Sequence, residues 1–191
     1  EIGSGLVGSE MCIRDSYQTV VMTDAIANNE KVFNMNGGTI INNTNKEIGA
    51  VEIDNGIFNM TGGSIEDNVG TKKAGGVSIK GDLTIAKITG GNIKKNKGVN
   101  GGGIYLTGGT LNLEGGSITG NTAKTGGGID ASGNNSSTIN ITGGDVSNNS
   151  ASSYGGGVYV HSATTVANIS GGTISKNTCL LYTSPSPRDR S

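Results

Sequence analysis

Apolar and polar positions alternate along this chain in short bursts, each only a few residues long and bounded by glycine. The stretch Gly101 to Asn121, GGGIYLTGGTLNLEGGSITGN, shows the pattern. Ile104-Tyr105-Leu106 reads apolar, polar, apolar, and Leu111-Asn112-Leu113 does the same. Ile118 follows a Gly-Gly pair and leads to Asn121. Alternation with a period of two predicts strands with one buried face. The bounding glycines tolerate positive φ and mark corners where the chain turns sharply.

This unit repeats. The motif Gly-Gly-x-Ile/Val-x-x-Asn begins at Gly37, Gly62, Gly90, Gly115, Gly143 and Gly171, at spacings of 25, 28, 25, 28 and 28 residues. An apolar-x-apolar segment precedes each pair: Phe33/Met35, Phe58/Met60, Ala86/Ile88, Leu111/Leu113, Ile139/Ile141 and Ala167/Ile169. A second glycine-led segment falls between the motifs: Val51/Ile53, Val77/Ile79, Ile104/Leu106, Ile129/Ala131 and Val158/Val160. Three rows in step predict an all-β fold, a right-handed parallel β-helix (β-solenoid) of about six coils of 25–28 residues with three short strands each. Coils would stack about 4.8 Å apart. No coil can bury its apolar side alone, so stability comes from neighbours.

Asparagine recurs in two rows. The motif row is Asn43, Asn68, Asn96, Asn121, Asn149 and Asn177. It predicts a structural ladder of amides hydrogen-bonded along the axis. The other row, Asn34, Asn59, Asn112, Asn140 and Asn168 with Lys87 as the exception, must point outward if its neighbours point inward. Tyr17 to Lys31 is the least regular part of the repeat region and reads as a degenerate coil or half of one.

The ends break every rule of the middle. LVGSEMCIRD at Leu6–Asp15 and CLLYTSPSPRD at Cys179–Asp189 resemble translated sequencing-adapter DNA. With suitable codons for the second, the reverse complement translates one frame over as the first, so one DNA element read on opposite strands accounts for both. Residues 1–16 and 179–191 are therefore expected to be non-native tails, and 17–178 the repeat domain, an internal fragment of a longer gene. Both cysteines, both prolines and all three arginines lie in the tails. A disulfide joining Cys12 to Cys179 would be an empty inference, as would a nucleotide site from the Gly3–Gly8 G-x-G-x-x-G match.

Between the tails there are 11 Lys against 11 Asp plus Glu, which argues against a nucleic-acid footprint. No stretch is apolar enough to span a bilayer, and no cofactor motif is present. Glycoside hydrolysis needs two carboxylates about 5–9.5 Å apart. Asp54, Asp67, Asp82, Asp130 and Asp145 share no row, and Glu66-Asp67 reads as a solvated turn. His161, the only histidine, has no metal partner at ligand spacing. No catalytic or metal residue is assigned. One outward row, Glu52, Ser78, Tyr105, Asp130 and Tyr159, places a carboxylate between two aromatic rings. Tyr105, Asp130 and Tyr159 form a candidate glycan-contact patch, although tyrosine is also an ordinary strand residue on a solvated face.

Gly-Gly-Gly-Ile/Val strands alternating with Ile-x-x-Asn corners resemble the repeats of bacterial right-handed β-helix surface proteins. The pattern is similar to that of polymorphic outer membrane proteins, with Ile40, Ile65, Ile93, Ile118, Val146 and Ile174 where that family carries an aromatic. The resemblance covers about Val32 to Thr178. It implies a secreted or cell-surface adhesin-like stalk, extracellular, binding host or matrix glycans or proteins, and it supplies no catalytic residues. The alternative is a fragment of a β-helix polysaccharide lyase or glycoside hydrolase, whose site would break the regular repeat. Edge strands at the ends are also expected to drive end-to-end self-association.

Overall fold

The computed structural model describes residues 31–133 and 135–180, with the backbone of the strands Cys12–Ile13 and Val20–Met22. The remainder of both flanks, including residues 23–30 of the expected degenerate coil, lies outside the described residues. All paired strands are parallel, and the chain is a β-solenoid of about five full turns.

The rows expected from the sequence are three sheets. Sheet one stacks Val32–Met35, Ile57–Met60, Ile85–Ile88, Gly109–Leu113, Ser137–Ile141 and Val166–Ile169. Sheet two stacks Cys12–Ile13, Thr39–Ile41, Ser64–Glu66, Asn92–Lys94, Ser117–Thr119, Asp145–Ser147 and Thr173–Ser175. Sheet three stacks Val20–Met22, Val51–Asp54, Val77–Lys80, Ile104–Thr107, Ile129–Ala131 and Val158–Val160. Thus a strand from within the N-terminal tail, Cys12–Ile13, pairs with Thr39 and Ile40.

Every repeat sits in the register of its neighbours: Ile65, Ile93, Ile118 and Val146 pair in sequence. A period-two strand in unshifted register stacks like on like, so the interior is built of aliphatic columns. Phe58, Leu111, Ile93, Ile118, Ile104 and Leu106 are fully enclosed. Phe33 stacks on Phe58 with ring centroids 5.5 Å apart. Each such side chain contributes on the order of 1.5–3 kcal/mol of transfer free energy.

The corners explain the motif. The second glycine of each pair has positive φ, 82° at Gly63 for instance, and a Cβ there would lie 2.7 Å from Gly38 O. The residue before each ladder asparagine is also left-handed: Asn42, Asp67, Lys95, Gly120, Asn148 and Lys176 have φ between 52° and 65°. That conformation turns the chain inward and carries the following amide into the interior.

Between its end rungs the ladder is fully hydrogen-bonded. Asn121 Oδ1 accepts from Asn96 N at 2.9 Å and Asn96 Nδ2 at 3.1 Å. Asn121 Nδ2 donates to Ile93 O at 2.9 Å and Asn149 Oδ1 at 3.0 Å. The same four bonds recur at Asn68, Asn96 and Asn149, so buried amides exhaust their capacity. On the outside, Asn59 Nδ2 donates to Asn34 Oδ1 at 2.9 Å, and Asn168 Nδ2 to Asn140 Oδ1 at 2.9 Å. Lys87 interrupts that row and pairs with Glu114 at 3.0 Å.

Two features depart from the expectation of three strands per coil. A fourth ladder follows the asparagine corner: Thr44–Asn45, Val69–Gly70, Thr122–Thr125, Ser150–Tyr154 and Thr178–Cys179, joined through bridges at Lys97. Spacer lengths also differ by corner. Three residues separate sheet one from sheet two in every coil, and two separate sheet two from the fourth ladder. Between sheet three and sheet one the spacer runs from one residue after Thr107 to five after Ala131 and Val160. The 28-residue coils carry two or all three of their three extra residues at that corner.

Candidate functional site

Glu52, Ser78, Tyr105, Asp130 and Tyr159 do form one row on the outer side of sheet three, in the order the sequence predicts. The middle of the row, Ser78, Tyr105 and Asp130, is not solvated. Asp130 is 0 % and Tyr105 8 % exposed. The fourth ladder lies over them. Asn100, Thr125 and Tyr154 pair in register, each five residues ahead of Tyr105, Asp130 and Tyr159. The glycine triplets between the two rows make the fold-back: Gly126 has φ 57°, and a Cβ there would stand 2.4 Å from Asp130 Cβ.

Asp130 is held from two sides. Thr125 Oγ1 donates to Oδ2, and Ser132 N donates to Oδ1 at 2.9 Å. Burial pushes its carboxyl above the usual range, against the hydrogen bonds from Ser132 and Thr125 and the charge of His161. Burial also raises the Tyr105 phenol, and the neighbouring Asp130 charge adds to it. Folded Asp130 keeps its proton to higher pH than the unfolded chain. Stability from this residue is therefore present below the ordinary value of 3.8 and declines as pH rises through the folded pKa. Asp130→Asn should melt at a higher temperature than the native chain at pH 7, and the two should converge near about pH 3, where both states are protonated. Thermal melts across pH check this, and parallel curves would refute it.

The expected patch is thus assembled as a row but only partly offered to solvent. Asp130 is closed to any ligand, Tyr105 nearly so, and Tyr159 is half-buried. Sequence reasoning missed two exposed partners. Tyr154, 53 % exposed, stacks on Tyr159 with centroids 5.6 Å apart, and Tyr159 stacks on His161 at 5.8 Å, both at 15° between planes. The constant five-residue offset across each Gly-Gly-Gly triplet was the available signal for Tyr154. Together Tyr154, Tyr159 and His161 make an aromatic ledge with phenol and imidazole groups along it.

No acid pair suited to glycoside hydrolysis lies along this row. Glu52 is three coils from Asp130, about 14 Å at strand spacing, with Ser78 and Tyr105 between. Glu66 is engaged elsewhere, its carboxyl held below the usual range by Lys94 at 2.8 Å and then by Ser64. Among the described residues no group of three or more His, Cys, Asp or Glu is placed to hold a metal ion, and no helix is long and apolar enough to cross a membrane.

The architecture defines the class as a parallel β-solenoid with an internal asparagine ladder. No protein-family model, curated protein or solved structure matches the chain.

Proposed function

We propose that the chain is a non-catalytic repeat module of a secreted or cell-surface protein, an adhesin-like stalk that presents a rigid face to extracellular glycans or proteins. The aromatic ledge of Tyr154, Tyr159 and His161 carries this reading. Near-parallel aromatic faces with polar edges suit the apolar C–H faces and hydroxyls of a sugar chain. The uniform repeat supports it too, because enzymes usually depart from regularity where they act. The flanks are read as non-native, and the parent gene, sequenced past both junctions, decides that.

Pull-down on insoluble and soluble polysaccharides tests the ledge. Tyr154→Ala with Tyr159→Ala should weaken retention at least about tenfold on any glycan the native chain holds. Equal retention by the double variant refutes the ledge. Release of oligosaccharides by the native chain would instead support a lyase or glycoside hydrolase.

A further inference from the structure

The fourth ladder covers part of sheet three, but the outward residues of sheet one are half-buried or exposed along its whole length. They alternate with the buried column and form three parallel rows. The middle row is Asn34, Asn59, Lys87, Asn112, Asn140 and Asn168. On one side runs a β-branched row, from Val32 through Thr110 and Thr138 to Val166. On the other runs a row that includes the hydroxyls of Thr61, Thr89, Thr142 and Ser170, all exposed. Only Lys87 and Glu114 are charged in the three rows, and they pair at 3.0 Å.

The amides of the middle row are held in one orientation. Asn140 Nδ2 donates to Asn112 Oδ1 at 2.8 Å, and Asn168 Nδ2 donates to Asn140 Oδ1 at 2.9 Å. A primary amide has two donor hydrogens and two acceptor lone pairs. The axial bonds of Asn140 use one of each, so one hydrogen and one lone pair remain. The amide is planar, with its C=O and one N–H along the rod axis, so the remaining N–H is directed away from the sheet. Asn112 and Asn168 present their amides one strand spacing to either side, about 4.8 Å. These groups are pre-oriented, and a ligand meets them without first having to order three side chains.

We infer that this strip binds a neutral, extended β-linked polysaccharide lying along the rod axis. The inference rests on the reading of the chain as a glycan-contacting module, and it adds a second contact surface to the aromatic ledge. A sugar ring in an extended chain advances by roughly one strand spacing, so successive hydroxyls meet successive amides. The strip carries no net charge, which suits a neutral hydroxyl-bearing chain better than a uronic or sulfated one. Its β-branched row supplies apolar contact for the C–H groups of the rings. The strip is also narrow. Six strands span about 24 Å and three outward residues about 13 Å, so it covers about 300 Å². A stable contact with a second copy or another protein takes about 800 Å² per partner. A single polymer chain needs no more width than the strip has.

The test is affinity electrophoresis of the full chain through gels containing hydroxyethylcellulose or carboxymethylcellulose, which share a β-linked backbone and differ in charge. The neutral polymer should retard the native chain and the anionic one should not. Asn112→Ala/Asn140→Ala should weaken the affinity at least about tenfold. Thr138→Lys leaves every axial amide bond in place and sets a charged side chain over the strip. It should weaken binding as much, which separates loss of the site from loss of the fold. Native retardation of both strip variants overturns the inference, as does equal retardation by carboxymethylcellulose. If the strip variants bind as the native chain does and only Tyr154→Ala/Tyr159→Ala loses affinity, the strip is refuted and the glycan reading stands. A native chain unretarded by hydroxyethylcellulose also refutes the strip. Retention on another polysaccharide in the pull-down then keeps the glycan reading, and retention on none ends that reading as well.

Discussion

Asn121→Ala should cost the protein about 4 kcal/mol of stability, read as a shift in urea midpoint with little change in slope. The side chain is enclosed, so water does not replace it. Its removal leaves Asn96 N and Nδ2 without their acceptor and Ile93 O without that donor. Asn149 Oδ1 loses one of its two donors. Each stranded buried group costs about 1–3 kcal/mol, and the effects within one ladder do not simply add. The comparison that identifies the cause is Asn177→Ala, at the half-buried last rung, where a loss of about 1 kcal/mol is expected. Equal losses at the two positions would show that position in the ladder is irrelevant, and a loss under about 1 kcal/mol at Asn121 would show that the ladder is not a stabilising spine.

Gly127→Ala should be as severe for a different reason. Gly127 has no positive φ to lose, so the cost is one of space. A Cβ would stand 2.4 Å from Gly156 O and 2.5 Å from Ser150 O, both backbone atoms of the next coil. That coil cannot retreat without stretching the bond from Gly127 N to Gly155 O at 3.0 Å. A loss of at least about 3 kcal/mol is expected, and failure to fold at 37 °C would agree with it. Gly37→Ala is the control. Nothing lies within 4 Å of its Cβ and its φ is not positive, so its melting temperature should be unchanged. A soluble Gly127→Ala melting with the native chain would refute the close approach.

The three sheets were legible because each inward row repeats in phase, and each phase carries an aliphatic signature such as Ile104/Leu106 or Leu111/Leu113. Registers followed from the same rows, as did the inner ladder, since one asparagine per coil at one offset from one isoleucine has one place to go. The fourth ladder was not legible. Thr122–Thr125 and Ser150–Tyr154 bury little beyond Ala151 and show no apolar alternation. They are held by axial bonds between main chains, such as Ser150 N to Asn121 O at 2.9 Å, which any sequence can make. Missing that ladder meant missing its effect on the candidate site. Alternation shows that Tyr105 and Asp130 point away from the core, and it is silent on whether a polar segment then covers them.

The unequal corners decide what this rod can carry. Two of its edges are fixed in length from coil to coil, while the edge between sheets three and one already holds spacers of one to five residues without disturbing a single register. Foreign loops spliced along that edge would project in a single file, one coil apart, from a body that does not change shape to receive them. The molecule is, in effect, a ruler with one writable margin.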